Sequence, residues 1–313
     1  MKALVTGGAG FIGSNLVDAL LDAGDDVLVI DNMSSGREVN LTRALQSGAT
    51  LQHGDVRDAT WLLSSFQAFR PERVFHLAAQ IDVRVSIDAP ALDADVNILG
   101  TINVLEAARQ SGARRLVFAS TGGAIYGETE TLPTSEAEEP LPMAGYGQSK
   151  FCAERYLGLY ERLYGLSTMA LRFSNVYGPR QDPSGEAGVI AIFCGCFRDG
   201  KAPTIYGDGT QTRDYLYVGD LVGALVVAGG QQVGGVLNAG TKQETSVLEL
   251  VRLLGEIHGA GAPEPRFAPP RLGEVDRSCL DATRAREVLG WEATTDIYDG
   301  LRLTYAGALA EAR

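Results

Sequence analysis

Short apolar runs alternate with longer amphipathic stretches through the first half of the chain. Lys2 to Thr6, Asp26 to Ile30, Thr50 to His53, Arg73 to His76, Arg114 to Ala119 and Ser167 to Arg172 have the length and residue content of strands. Between them, Phe11 to Ala23, Thr60 to Phe69, Pro90 to Ser111 and Gly145 to Tyr164 carry helical spacing. Strand interiors such as Ala3-Leu-Val-Thr6 and Leu116-Val-Phe-Ala119 are apolar throughout instead of alternating, so both faces of these strands are expected to be covered. Repeated βα alternation therefore predicts an α/β fold, a doubly wound parallel sheet with helices on both faces.

Beyond Arg172 the regularity fades. A Gly/Pro-rich loop from Tyr177 to Gly188 precedes a helix ending near Asp199, and turns follow at Pro203 and Gly207-Asp-Gly209. Ala262 to Pro270 reads as a loop, and Ala282 to Leu289 and Ile297 to Ala310 as closing helices. We expect residues 1–174 to form the main domain, with a later return near 211–240, because Val236-Leu-Asn-Ala239 has strand character. Residues 175–313 are then mainly a smaller α/β substrate lobe.

Composition narrows the partners. In 313 residues, 45% are hydrophobic and 21% charged, the mix of a folded globular chain. A formal charge of −12 leaves no basic footprint for nucleic acid. The start of the chain reads directly into a strand without a signal peptide, and its longest apolar runs, such as Leu221 to Ala228, are too short to span a bilayer. No membrane association and a cytoplasmic location are expected. Cys152, Cys194, Cys196 and Cys279 lack disulfide-framework spacing, and His53, His76 and His258 lack companions at metal-ligand spacing, so no metal is expected.

Two constellations carry chemistry. Immediately after the first strand comes Thr6-Gly-Gly-Ala-Gly-Phe-Ile-Gly-Ser14. Gly7 allows a tight turn, Gly10 lets the backbone approach a pyrophosphate, and Gly13 lets the next helix pack close, its N-terminal amides aimed at phosphate. Asp31 closes the second strand, roughly 20 residues downstream, where a carboxylate accepts from an adenosine ribose and repels a 2′-phosphate. Together they predict a Rossmann-type sheet that binds NAD in preference to NADP, with Arg37 nearby as the one residue pulling the other way. In Tyr146-Gly-Gln-Ser-Lys150 the phenol and the ammonium share one helix face. A neighbouring positive charge draws a phenol pKa down from about 10, making Tyr146 a base for a sugar or alcohol hydroxyl.

With these constellations in place, the chain resembles the extended short-chain dehydrogenase/reductase family over nearly its whole length. Gly54-Asp55-Val56, His76-Leu-Ala-Ala79, Asp95-Val-Asn97 with Gly100-Thr101, Ala119 to Gly127 and Arg172 to Pro179 match its nucleotide-sugar branch, in particular the 4-epimerases of UDP-glucose and UDP-galactose. For the cofactor, the resemblance implies contacts at Phe11 and Ile12 in the glycine turn, Asn32 beside Asp31, and Asp55 and Val56 at the adenine. On the nicotinamide side it implies Leu77, Ala78, Ala79 and Asn97, with Tyr146 and Lys150 completing the site.

For the substrate, the resemblance implies a Ser or Thr at the end of the fifth strand bonding the sugar's 4-oxygen. Thr121 stands 25 residues before Tyr146 and is favoured, with Ser120 adjacent. Arg213 and Arg271 match diphosphate-binding arginines, a task suited to a forked, permanent cation. Asn175, Val189, Tyr206 and Tyr215 line the nucleotide pocket in this reading, and Asp276 accepts from the ribose. Ser278 occupies a position flanking the sugar, where its small size leaves room for an N-acetyl group. Gly122, Gly123 and Ala124 supply no acidic group of the kind an elimination or decarboxylation needs.

The expected activity is NAD-dependent C4 epimerisation of a UDP-hexose through a transient 4-keto sugar, with UDP-GlcNAc/UDP-GalNAc as further candidates. A UDP-glucuronate 4-epimerase, favoured if Arg84 or another cation stood at C6, or another NDP-sugar 4-oxidoreductase, is the enzymatic alternative. An NAD-binding regulatory protein is the alternative outside enzymes. The family also implies a homodimer through two helices, about Pro90 to Ser111 and Gly145 to Tyr164, although Ile98, Ile102 and Leu105 suit the chain's own core equally.

Overall fold

The computed structural model describes residues 1–183, 188–270 and 275–310. Strands β1 (Lys2–Thr6), β2 (Asp26–Asp31), β3 (Thr50–His53), β4 (Arg73–His76), β5 (Arg115–Thr121) and β6 (Ser167–Phe173) lie where the apolar runs predict them. Later strands are short: β7 (Asn175–Tyr177), β8 (Thr204–Tyr206), β9 (Thr212–Arg213), β10 (Tyr215–Tyr217), β11 (Gly235–Ala239), β12 (Thr245–Ser246), β13 (Arg266–Ala268) and β14 (Arg277–Ser278). Seven strands form one parallel sheet in the order β11-β6-β5-β4-β1-β2-β3. The strand order reverses between β1 and β4, and that switch point is where an open parallel sheet leaves a ligand crevice. The return of β11 beside β6 agrees with the strand character of residues 236–239.

Helices α1 (Phe11–Asp22), α2 (Thr42–Gln46), α3 (Ala59–Phe69), α4 (Val83–Asp88), α5 (Pro90–Ala94) and α6 (Gly100–Ser111) interleave with the early strands. After them come α7 (Gly145–Tyr164), α8 (Val189–Arg198), α9 (Val218–Gly230), α10 (Val247–His258), α11 (Thr283–Leu289) and α12 (Ile297–Ala310). The strand pleat sorts the core into two halves. Val5, Val29, Phe75 and Val117 face α1, α9 and α11, whereas Leu4, Leu28, Val74 and Phe118 face α3, α6 and α7. Each such side chain contributes roughly 1.5–3 kcal/mol by leaving water. A separate core, built from Phe193, Phe197, Ile205, Leu250, Leu254 and Leu301, holds α8, α10 and α12 together.

Two departures from the sequence reading stand out. The single helix expected over residues 90–111 is divided by a π-type turn, Asp95–Leu99, which re-aims the side chains between α5 and α6. Helix α9 escapes notice in the sequence because Val218–Gly230 is apolar nearly all round, burying Leu221, Ala224, Leu225 and Ala228, so no amphipathic period marks it. Among the described residues no helix is long and apolar enough to cross a membrane, and no group of three or more His, Cys, Asp or Glu side chains is placed to hold a metal ion.

Candidate active site

The glycine turn lies at the switch point. Gly7 has φ +71°, and a Cβ there would stand 2.6 Å from the Ala78 nitrogen, so the turn presses against the backbone of Leu77 and Ala78. A Cβ on Gly13 would meet the Gly7 oxygen at 2.2 Å, which fixes how closely α1 approaches the turn. Gly10 is the N-cap of α1 and no side chain caps it. The first-turn amides of Phe11, Ile12 and Gly13 therefore lack intrahelical acceptors and face the crevice with the positive end of the helix dipole. A bare backbone cradle with uncapped amides fits a dinucleotide pyrophosphate.

Asp31 is buried at the end of β2, and its two oxygens accept from the Ala9 amide at 2.9 Å and the Met33 amide at 2.8 Å. It thus braces the glycine turn, while each oxygen keeps a second acceptor position. Arg37 is ion-paired with Asp182, so this cation is engaged away from Asp31. Asp55 is drawn into local contacts, accepting from Asn32 at 3.0 Å and from Arg57 at 2.7 Å, and the Arg57 guanidinium holds its carboxyl well below the usual range. Val56, next in sequence, is buried.

Asn97 faces inward. Its oxygen accepts from the Gln80 amide, and its nitrogen donates to the Gln80 carbonyl and to Asp93, all within 2.9–3.0 Å. It clamps the loop that follows Ala79. His76 is fully buried between Thr6 and Thr101. Thr101 donates to the Asn97 carbonyl, so His76 Nε2–H donates to Thr101 and Nδ1 accepts from Thr6. Burial, with the Lys150 charge, pulls its pKa down to about 3 and keeps it neutral.

Tyr146 and Lys150 lie on the first turns of α7. Lys150 is 2% exposed, and its ammonium donates to the Ala119 carbonyl at 2.8 Å and sits 4.6 Å from the Phe118 ring centroid and 6.0 Å from that of Tyr146. The expectation that Lys150 lowers the Tyr146 pKa is corrected here. Burial, reinforced by the Asp93 charge, pushes this phenol above its ordinary value. The reason is geometric, since the ammonium bonds a backbone carbonyl and not the phenol oxygen. Burial in turn pulls Lys150 down to about 7, against the opposing charges of Asp93 and Glu154.

The strand pleat separates the two candidate hydroxyls on β5. Ser120 points into the core and donates to Glu154 at 2.6 Å. Glu154 in turn forms a buried two-pronged pair with Arg172 at 3.0 and 2.7 Å, and Arg172 continues to the Tyr126 hydroxyl at 2.8 Å. Thr121, on the other face, accepts from the Ala124 amide at 3.2 Å. A Cβ on Gly147 would meet the Ala124 oxygen at 2.1 Å, so the glycine after Tyr146 lets the Thr121 loop press onto α7. Gly147, Asp93 and Glu154 are not singled out by the sequence, and Arg172 enters there only as the first residue of a stretch that matches the nucleotide-sugar branch.

A cavity of about 650 Å³ opens beyond this loop. Asn175, Val189, Tyr206, Arg213 and Tyr215 line it, joined by Tyr177, Gln211 and Cys196, which sequence reasoning did not single out. Arg213 donates to the carbonyls of Thr212 at 2.8 Å and Asp276 at 3.3 Å, and no carboxylate pairs with it among the described residues. Asp214 turns the other way, accepting from Thr241 and Leu280, and burial pushes its pKa up. Ser278 pairs with Arg213 through β14 and β9 but does not line the cavity, and the Asp276 side chain is exposed. Arg84 is exposed on α4 and also outside the lining. Arg271 lies outside the described residues.

A parallel sheet with a phosphate cradle at its switch point, and a Tyr/Lys pair on one helix beside it, defines a dinucleotide-dependent enzyme fold of the extended short-chain dehydrogenase/reductase type. The chain belongs to the NAD dependent epimerase/dehydratase family, whose model matches residues 3–240. It is 48% identical to UDP-glucose 4-epimerase of Mycolicibacterium smegmatis over 97% of each chain. Among solved structures it is similar to UDP-glucose 4-epimerase with UDP-glucose from Thermotoga maritima, at 45% identity and a TM-score of 0.95 over 100% of each chain. The Thermus thermophilus UDP-glucose 4-epimerase in complex with NAD is 43% identical, with a TM-score of 0.90 over 98% of this chain and 99% of that one.

Proposed function

We propose that this chain interconverts the C4 epimers of a UDP-hexose, UDP-glucose and UDP-galactose, with NAD retained through the cycle. The observation that carries the reading is the placement of half-buried Tyr146 with buried Lys150, and of a Thr121 loop without carboxylates, next to a cavity lined by a guanidinium that no described carboxylate neutralises. Asn175 links the two halves, since it lines the cavity and its oxygen is the nearest atom, at 3.9 Å, to a Cβ built on Gly123.

Gly7, Gly10, Gly13 and the first turn of α1 would hold the pyrophosphate of NAD, and Asp31 the adenosine ribose. Bound NAD supplies a hydride acceptor and donor for C4 and a positive ring charge that favours phenolate. Tyr146 takes the 4-hydroxyl proton, and Thr121 holds the 4-oxygen while Lys150 stabilises the phenolate. Ser120 is committed to Glu154, which favours Thr121 for that contact. Arg213 grips the diphosphate. The space over Gly123 gives the 4-keto sugar room to turn its other face, after which Tyr146 returns the proton. With no side chain at Gly122 and Gly123 and only a methyl at Ala124, elimination lacks its acid.

We place the cofactor domain in residues 1–174 with β11, the substrate lobe mainly in 175–313, and the work in the cytoplasm, a setting that suits four free cysteines. A homodimer through the face carrying Ile87, Leu92 and Leu99 is part of the proposal, since these side chains are exposed whereas Leu105 is in the core. Purified protein incubated separately with UDP-glucose, UDP-GlcNAc and UDP-glucuronate, without added cofactor, tests the reading. UDP-galactose should form from UDP-glucose, with NAD copurifying. Failure to form it, or dependence on stoichiometric added NAD, would reject the cycle.

A further inference from the structure

The base pair Tyr146/Lys150 sits in a pocket whose charges do not cancel one by one. Glu154, one turn beyond Lys150 on α7, is matched by Arg172 on β6. His76 on β4 is neutral in its hydrogen-bond setting. The remaining charge belongs to Asp93 on α5, which packs on α7 and is 1% exposed. Its oxygens accept from Gln80 Nε2 at 3.0 Å, Asn97 Nδ2 at 3.0 Å and Ser149 Oγ at 2.5 Å. All three donors are neutral, and among the described residues no cation pairs directly with Asp93.

We infer that Asp93 is the counter-ion of Lys150 across this pocket, a positioning residue that keeps the buried ammonium charged and, through Ser149, holds the Tyr146–Lys150 turn against α5. A buried ammonium bonded only to a carbonyl is costly unless an opposite charge is near. Glu154 cannot fill that place alone, because Arg172 neutralises it. Asp93 also acts on Tyr146, raising the phenol along with the ammonium. It therefore sets the pH window of the pair as a unit and not the strength of either member alone. The inference rests on the reading of Tyr146/Lys150 as the reacting base.

The chain has four lysines, Lys2, Lys150, Lys201 and Lys242, so ¹³C-labelled lysine gives a spectrum in which Lys150 can be titrated directly. Asp93→Asn should move the Lys150 titration, and the alkaline limb of the kcat profile with it, toward acid by about one pH unit or more. Asp93→Glu retains the charge and should leave both near their wild-type positions even where kcat falls. An unmoved Lys150 titration in Asp93→Asn, or equal shifts in both variants, would overturn the inference. If Asp93→Asn does not fold, Ser149→Ala decides. There the charge remains and the titration should hold, whereas a fall of a full unit would assign control to the hydroxyl and overturn it. Because the titration needs no sugar turnover, it stays readable if the proposed reaction fails.

Discussion

The two halves of the site are built on opposite plans. Around Tyr146 and Lys150 the neighbouring polar groups are held by named partners: Asp93 takes three neutral donors, Glu154 takes Arg172 and Ser120, and His76 is held between two threonines. Around the cavity of about 650 Å³ the walls mix aromatic and apolar side chains such as Tyr177, Tyr215 and Val189 with neutral polar ones such as Asn175, Gln181 and Gln211, and the charge on offer is a guanidinium that donates to backbone carbonyls. On the proposed reaction, the difference teaches that the site is rigid at the base and tolerant at the substrate. Proton transfer needs fixed atoms and fixed charge. A sugar that must present both faces needs a firm hold at its diphosphate and few directional contacts elsewhere.

The largest test of this contrast is Tyr146→Phe. It should lower kcat by about 10³-fold with little change in KM, measured by UDP-galactose formation. A loss residing in KM would mean that the rigid half also binds. Arg213→Ala tests the tolerant half. There KM should rise roughly 30-fold, about 2 kcal/mol for a charge-assisted contact, while kcat changes far less. An equal fall in kcat would show that Arg213 acts on the transition state.

His76 tests how firmly the rigid half is set. Its folded pKa is about 3 against 6.5 for the free side chain, so between these values the unfolded chain binds the extra proton. Stability then falls as pH drops below 6.5, by about 1.4 kcal/mol per unit from this group. Denaturant unfolding across that window should show a shallower slope in His76→Gln, and an identical slope would refute the assignment. Smallest is Ser120→Ala, expected to cost about 1 kcal/mol of stability by leaving a Glu154 acceptor position unfilled, with kcat nearly unchanged. A large kcat loss would return Ser120 to the reaction and break the division drawn by the strand pleat.

The α/β class, six of the seven sheet strands and the glycine turn are legible along the chain because their signals are local: apolar runs, loop lengths and glycine spacing. β11 was readable as a strand, but its place beside β6 rests on a crossover spanning everything from Ser174 to Gly234. Helix α10 had a usable signal that went unread, since Ser246 caps it by accepting from the Glu249 amide at 3.1 Å, a Ser-x-x-Glu start before an apolar run. The supporting residues were out of reach for a different reason. Asp93, Glu154 and Arg172 are charged residues on amphipathic or strand segments, and nothing local distinguishes a buried charge from a solvated one.

The sequence by itself determined which groups are available: a phosphate cradle at residues 7–13, an acid at 31, and a phenol and an ammonium one helical turn apart. Tertiary structure decided what those groups are. It turned Ser120 inward and left Thr121 on the opposite face, set Arg213 apart from every described carboxylate, and reversed the direction of the Tyr146 pKa. Spacing along a helix sets which side chains are neighbours, but proton affinity depends on burial and on charges brought in from other elements, and only packing supplies those.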